Sequence, residues 1–446
     1  MNNYHRIKKI LFLILAIAAG IVIYRALPML AIATGYAAKQ VCTCTFSEDR
    51  QQPEIEKNQL YFSILGQVTN TIDHQAQSVT SSFLGLYPKI AEYRPGIGCV
   101  LLYGADDYDV QFPKSNAGSV RDSLFEKVQV TQGLDLDQLN KAVSHAFDAD
   151  KQLVDKRTTA VLVIHKDTLI AEQYAPPFGP NTVQLGWSMT KSLMNTYAGL
   201  LVAQGKMKIT YDHLFAEWDG DDRKHITITD LLHMNAGLSW DENYAGISDA
   251  TNMLYRSEDV SAIARSKPLE HPIGSYWYYS SGTTNLLSRY FRNVINNDHL
   301  YWTMLKDSLF DVIGMHSAFI ETDETGTFIG SSYGYATPRD WARFGLLYLH
   351  QGIWNGKRLL PEGWVTFSTT PAEGSNGQYG AQFWLNQNGV QFPDAPHDTY
   401  NADGFQGQFV FIIPSRDVVI VRMGTGKDGF NVNQFLKEIL DALPQK

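Results

Sequence analysis

The sequence has few cysteines, no clustered histidines and no long basic run. The 12 histidines are scattered and form neither an H-x-H nor an H-E-x-x-H pattern, so neither a metal centre nor an organic cofactor is expected. With 46 acidic residues against 37 basic ones, the chain lacks the positive footprint that binds a phosphate backbone. This balance disfavours nucleic-acid binding. No repeat with a period of about 20 to 50 residues recurs, which argues against a solenoid or propeller.

The chain does have enough apolar residues for a large core. At 446 residues and 44% hydrophobic content, it fits two domains or one large domain with an appendage. The first residues differ from the rest: Arg6, Lys8 and Lys9 precede the apolar run "ILFLILAIAAGIVIY". This pattern is typical of an export signal or a membrane anchor. We expect an uncleaved anchor with the remainder on the periplasmic or other extracytoplasmic side; the alternative is secretion after signal cleavage.

The three cysteines, Cys42, Cys44 and Cys99, all lie in the N-terminal quarter. A disulfide from Cys99 to one of the other two would suit an oxidising compartment. The alternative is that all three are small buried thiols. A zinc site would need a fourth ligand, and no histidine clusters near them.

The order of the predicted elements suggests one sheet built from both ends of the chain. A helix is predicted over 134–150 and hairpins over 159–174 and 407–424, and "NQFLKEILDALP" predicts a closing amphipathic helix. We therefore predict an α/β (α+β) fold, an antiparallel sheet flanked by helices with a helical insertion over roughly 190–350. The predicted segments are an anchor or signal over 1–35, an N-terminal extension over 36–130 and the main domain over 131–446.

The stretch "GWSMTKSLMNTYAGLLVAQGKM" places Ser188 at a helix start, three residues before Lys191. Residues three apart share a helix face, so the lysine amine can reach the serine hydroxyl. A serine hydroxyl becomes a good nucleophile when a neighbouring base takes its proton, and a buried lysine can be that base. The pair is a candidate nucleophile and base, although S-x-x-K alone also occurs by chance.

A second motif, "YWYYSSGTTNLL", follows about 90 residues later and contains Tyr279 and Ser281. Together, the two motifs resemble those of the serine β-lactamase, penicillin-binding protein and related esterase superfamily, whose second motif is Tyr-x-Asn. The resemblance covers roughly residues 135 to 446 and implies the β-lactamase/transpeptidase-like fold. It also implies that the Tyr279 phenol shares proton transfer with Lys191.

The third motif of that superfamily, commonly Lys-Thr-Gly or His-x-Gly, corresponds to "NADGFQGQFVFIIP" (401–414), which lacks the lysine. The resemblance implies an oxyanion hole formed by the N–H groups of Ser188 and Phe405. Loss of the lysine, and Ser281 in place of the usual Asn, count against classical β-lactam recognition. We also expect five residues to line the substrate cleft: Trp187, Ser281, Trp384, Asp403 and Gly404.

Three further stretches, "ITITDLLHMNAGLSWDE", "ATPRDWARFGLLYLHQGIWNGKRLLPEGWV" and "YGAQFWLN", are similar to the 6-aminohexanoate-oligomer hydrolases and family VIII-type carboxylesterases. The resemblance implies a serine hydrolase that cleaves a small-molecule amide or ester through an acyl-enzyme. Two alternatives stay open: a catalytically degenerate, penicillin-binding-protein-like envelope protein, and a D-alanyl peptidase or β-lactamase. The sequence sets no oligomeric state.

The sequence also contains a second candidate set of hydrolase catalytic residues. "GSSYG" (330–334) matches G-x-S-x-G around Ser332, and Asp394 and His397 follow in the order of an α/β-hydrolase triad. That fold needs a strand, a sharp turn and an immediate helix around the serine. Here the next helix is predicted to begin near Pro338, and no alternating βα pattern surrounds it.

Overall fold

The computed structural model describes residues 2–104, 125, 128–129 and 131–444, without the side chains of 2–4, 6–7, 14–19 and 21–26. Thirteen α-helices lie in these residues: α1 Asn2–Phe46, α2 Gln52–Gln59, α3 Leu136–His145, α4 Thr190–Ala203, α5 Ile228–Leu232, α6 Asp249–Arg256, α7 Ala262–Ser266, α8 Ser281–Ile295, α9 Asp298–Leu305, α10 Asp311–Ile313, α11 Pro338–Leu349, α12 Trp364–Thr369 and α13 Val432–Ala442.

Fifteen strands lie in the same residues: β1 Val68–Asp73, β2 Ser78–Phe83, β3 Leu86–Arg94, β4 Gly98–Leu102, β5 Thr158–His165, β6 Thr168–Tyr174, β7 Gln184–Leu185, β8 Phe319–Ile320, β9 Gly334–Ala336, β10 Ile353–Trp354, β11 Lys357–Arg358, β12 Trp384–Leu385, β13 Tyr400–Gly404, β14 Gln408–Ile413 and β15 Val418–Gly424.

The central sheet joins the two ends of the hydrolase-like region. Its strand order is β12-β13-β14-β15-β5-β6 with antiparallel pairing, and β15 pairs with β5 so that Ile420 faces Val163. Every residue of β5, β14 and β15 is buried, because helices cover both faces of the sheet. On one face α3 and α13 form a separate apolar cluster with the sheet, and on the other α11 packs against β14 and β15. The predicted hairpins, flanking helices and shared sheet are confirmed.

The stretch between the two halves of this sheet is mainly helical, as predicted, but it also contains a small sheet. Strands β7, β9 and β8 pair in that order, with Leu185 opposite Tyr335. Gly186 donates its N–H to the Gly334 carbonyl at 2.8 Å, which extends this pairing to the residue that precedes the Trp187–Met189 turn. The small sheet therefore positions the start of α4.

The N-terminal region forms a four-stranded antiparallel sheet, β1-β2-β3-β4, packed on the second half of α1. The sequence predicted only the strand that is β4. Helix α1 runs through the predicted segment boundary at residue 35, and residues 32–43 of it are buried. Among the described residues, none of the helices combines enough length and apolarity to cross a bilayer. Much of the apolar stretch after Arg25 packs against protein.

A disulfide joins α1 to the N-terminal sheet. Cys42 on α1 bonds to Cys99 on β4, with Cα atoms 6.0 Å apart, and Cys44 is a buried free thiol. Of the two cysteines that the sequence left open as partners for Cys99, the structure selects the first.

Candidate active site

Ser188 lies in a single 3-10 turn, Trp187–Met189, that leads directly into α4. Trp187 has a φ of 48°, a left-handed conformation that is strained for a bulky residue and is frequent at functional sites. Thr190 holds the turn: its hydroxyl donates to the Trp187 carbonyl at 2.6 Å and accepts from the Gly334 N–H at 2.7 Å. The turn presents the Ser188 side chain at the edge of a cavity.

The amine of Lys191 is buried beside this serine. Its Nζ lies 3.0 Å from Ser188 Oγ, 3.0 Å from Ser281 Oγ and 2.8 Å from the Ser331 carbonyl oxygen. Burial lowers the pKa of Lys191 to about 8, while the charges of Glu242 and Asp403 oppose this shift. A neutral amine has two N–H donors and one lone pair. If the two donors serve Ser281 and Ser331, the lone pair points to the Ser188 hydroxyl.

Tyr279 lies beside the same two groups. Its phenol lines the same cavity as Ser188, and Lys191 Nζ lies 4.8 Å from the centre of its ring. Burial raises the pKa of this phenol well above its ordinary value, so it stays protonated at neutral pH and can donate a proton. Trp384 stacks on the Tyr279 ring at 5.3 Å between centroids and fixes its orientation.

Glu242 is part of the site and was missed by the sequence analysis. Its carboxylate accepts hydrogen bonds from the Ser281 hydroxyl at 2.5 Å, the Ser281 N–H at 2.8 Å and the Tyr244 hydroxyl at 2.9 Å. Ser281 thus connects the Glu242 carboxylate to the Lys191 amine through a chain of two hydrogen bonds. The signal available in the sequence was weak, because Glu242 only ends a stretch that we read as a mark of kinship.

The end of β13 lies against the Ser188 turn. A Cβ added to Gly404 would lie 2.1 Å from the Gly186 carbonyl oxygen, so only glycine permits this approach of the two backbones. Phe405 follows directly, and its ring packs edge-on against Trp187 at 5.5 Å. Burial raises the pKa of Asp403 to about 7, against the opposing charges of Lys427 and Lys191.

These side chains border one cavity of about 650 Å³, within the size range of small-molecule sites. Of the residues predicted from sequence, it is lined by Trp187, Ser188, Tyr279, Trp384, Asp403, Gly404 and Phe405. Ser281 lies behind Lys191 and is not part of the lining. Another part of the lining was not predicted: it comes from α1 and from residues 62–65.

The alternative triad around Ser332 is wrong. Ser332 does line the cavity, but it lies in a turn before β9, and the next helix begins only at Pro338. Asp394 hydrogen-bonds Asn433 at the surface, and His397 lines a different cavity beside Asp398. Within the described ranges, no group of three or more His, Cys, Asp or Glu side chains could hold a metal ion.

Comparison with known proteins agrees with this geometry. The β-lactamase family model matches residues 148–441. The chain is 24% identical to the 6-aminohexanoate-dimer hydrolase of Paenarthrobacter ureafaciens over 320 residues, which cover 65% of this chain and 78% of that protein.

Two solved structures share the fold. A putative 6-aminohexanoate-dimer hydrolase from Bacillus anthracis superposes with a TM-score of 0.55 at 21% identity, covering 65% of this chain and 79% of that one. A family VIII carboxylesterase superposes with a TM-score of 0.55 at 12% identity, covering 71% of this chain and 99% of that one.

Proposed function

Because the chain belongs to the β-lactamase family, whose members are serine hydrolases, we propose that it cleaves an amide or ester through an acyl-enzyme on Ser188. One observation carries the proposal: the buried Lys191 amine lies 3.0 Å from the Ser188 hydroxyl and 4.8 Å from the ring of Tyr279, which lines the same cavity. This is the geometry that an activated serine nucleophile requires.

The neutral Lys191 amine takes the proton of Ser188 as Oγ attacks the substrate carbonyl carbon. With a pKa of about 8, about a tenth of the lysine is neutral at pH 7. The N–H groups of Ser188 and Phe405 stabilise the oxyanion of the tetrahedral intermediate. Its collapse breaks the bond to the leaving group, which takes a proton from Tyr279, and Lys191 returns the proton to the phenol. Water then hydrolyses the acyl-enzyme by the same groups.

The charges at the cavity favour substrates without a carboxylate next to the scissile bond. The family's usual lysine on the strand facing the serine is missing, and the carboxyl group of Asp403 lies there instead. Lys427 also lines the cavity, so recognition of β-lactams is an outcome to be measured. The match to a 6-aminohexanoate-dimer hydrolase makes linear amides a class to test beside esters.

We place the catalytic region in an oxidising, extracytoplasmic compartment. The support is the Cys42–Cys99 disulfide, since such bonds persist in oxidising compartments. Alkylation of denatured protein from intact cells, followed by mass measurement, should modify one cysteine before reduction and three after. Three modified cysteines without reductant would contradict this placement.

The direct test is turnover of p-nitrophenyl acetate, a linear aminohexanoate dimer, nitrocefin and a D-Ala-D-Ala peptide. We expect hydrolysis of the ester, loss of at least about a thousandfold in kcat/KM for Ser188→Ala or Lys191→Ala, and unchanged melting behaviour. The matched control is Ser266→Ala, because Ser266 is exposed on α7 and distant from the cavity lining. Full activity in Ser188→Ala would overturn the proposal, and a folded protein inert to all four substrates would favour the degenerate binding protein.

A further inference from the structure

One wall of the cavity is built from residues outside the β-lactamase match, which begins at residue 148. Helix α1 contributes Met29, Ile32, Ala33 and Tyr36, and the loop after α2 contributes residues 62–65. The N-terminal extension, taken here together with α1, thus forms part of the cavity.

This wall is fixed in place by contacts along α1. Gly35 lies where α1 crosses α6, and the two helices are close there, since an added Cβ would come within 3.2 Å of Tyr255. Lys39 forms a fully buried ion pair with Glu321 at 2.7 Å. Together with the Cys42–Cys99 bond, these contacts hold α1 as a permanent wall of the cavity.

Four aromatic rings connect this wall to the nucleophile. Tyr36 contacts Phe62 at 5.8 Å and Trp187 at 6.1 Å between centroids, and Phe405 contacts Trp187 at 5.5 Å and Phe62 at 6.4 Å. Each of the four rings therefore contacts two of the others, and the cluster lies beside Ser188. Most of the remaining wall is aliphatic, from Met29 to Leu65, and polar groups are concentrated at the catalytic end.

The position of the rings relative to the catalytic groups indicates which half of the substrate they receive. The leaving group must lie by Tyr279, which supplies its proton, and the oxyanion by the N–H groups of Ser188 and Phe405. The remaining substituent of the carbonyl carbon, the acyl chain, is then directed toward Trp187 and Tyr36.

We infer that the site is specific for esters or amides with an apolar, medium-length acyl chain, and that the N-terminal extension forms the wall that receives this chain. The inference rests on the proposed function, because it takes Ser188 as the nucleophile. Burial of each methylene in such a cavity should raise kcat/KM by about two- to fourfold.

The test is a series of p-nitrophenyl esters from acetate through butyrate and hexanoate to octanoate. For the unmodified protein we expect kcat/KM to rise along the series. Ala33→Phe, which fills the cavity from the α1 wall, should lower the octanoate-to-acetate ratio by about tenfold or more, the equivalent of two methylenes left unburied. The control is Ala76→Phe, an equal enlargement at an exposed turn of the same extension.

The outcomes separate this inference from the proposed function. Acetate hydrolysis that depends on Ser188, with a flat or falling chain-length profile, would overturn the inference alone. A rising profile with the same octanoate-to-acetate ratio in Ala33→Phe would show that the chain binds elsewhere. Hydrolysis that persists in Ser188→Ala would instead remove the proposed function.

Discussion

The amine of Lys191 has a hydrogen-bond partner on each of three sides and is buried. In this position the protonated amine loses its hydration, so the neutral form is favoured and the pKa falls. Two carboxylates, Glu242 and Asp403, limit how far the pKa falls. Their opposition leaves the pKa at about 8, close to the pH at which a general base works best.

The first prediction concerns the pH dependence of turnover. Since the neutral amine is the active form in the proposed mechanism, kcat/KM for p-nitrophenyl acetate should rise about tenfold per pH unit below pH 8 and level off above it. Stopped assays between pH 6 and 9.5, corrected for spontaneous hydrolysis, measure this profile. A profile that declines across this range would be inconsistent with Lys191 as base.

The second prediction uses Asp403 to shift that profile. Its negative charge raises the pKa of Lys191, so Asp403→Asn should lower this pKa and move the rising limb to lower pH by up to about one unit. Asp212→Asn, an exposed substitution away from the cavity, is the control. If the rising part of the pH profile of kcat/KM does not move, or moves to higher pH, the charge of Asp403 does not raise the pKa of Lys191.

At the residue scale, the parts of the site with a local sequence signal were predictable. Ser188 and Lys191 lie three apart on one helix, and Tyr279 lies in a recognisable motif. Glu242 carries no such signal, because it reaches Ser281 across 39 positions of chain through a loop. The contact arises from how α8 begins beside that loop.

At the element scale, the proposed oxyanion site depends on how closely β13 approaches the Ser188 turn. Gly404 has no room for a Cβ, which would lie 2.1 Å from the Gly186 carbonyl oxygen. Any side chain there must push the end of the strand away and carry the Phe405 N–H with it.

The third prediction follows from this contact. Gly404→Ala should reduce kcat by about a hundredfold or more, the loss typical of one oxyanion donor. Gly220→Ala is the matched control, since nothing lies within 4 Å of an added Cβ there. Turnover of an ester by both variants, with melting curves, separates the effects. Near-normal kcat in Gly404→Ala would mean that the strand end does not take part in catalysis.

The sequence predicted β5, β6, β14 and β15 of the central sheet but missed β1, β2 and β3 for a physical reason. Hydrophobic runs in β5, β14 and β15 are continuous because both faces are covered. In β2 the inward position Ser81 is polar and donates to Asn70 at 2.6 Å, so the alternation of polar and apolar residues is obscured. A buried hydrogen bond there replaces the apolar contact on which sequence patterns depend.

The fourth prediction concerns the disulfide between α1 and β4. It closes a loop with a sequence separation of 57 residues, for which the chain-entropy model gives about 4 kcal/mol. Cys42→Ser should therefore lower the free energy of unfolding by up to this amount. Chemical denaturation of the variant beside Cys44→Ser, which removes only the free thiol, measures it. Equal loss in the two variants would argue against the bond.

At the scale of the whole molecule, one apolar core continues from α1 through the helical insertion to the central sheet. The extension and the hydrolase region also share the buried Lys39–Glu321 ion pair, in which both side chains are fully enclosed. The sequence divided these regions because the extension has no motif of its own. Packing of α1 across α6 joins them, and no pattern along the chain encodes such a long-range contact.

The fifth prediction tests this continuity. Lys39→Ala leaves the Glu321 carboxylate buried without its partner and should destabilise the protein by about 3 to 5 kcal/mol. If the regions unfold together, near-UV and far-UV signals should shift by the same amount in one transition. Replacing both residues by methionine should recover much of the loss. Two separate transitions, with only one affected, would show that the extension is an independent unit.

The most direct test of the central claim is to find the acylated residue. Incubation with a fluorophosphonate probe, followed by intact-mass measurement and peptide mapping, should show one adduct on Ser188, none in Ser188→Ala and much slower labelling in Lys191→Ala. Labelling should persist in Ser332→Ala. An adduct on Ser332, or a folded protein that takes no label at all, would contradict the account.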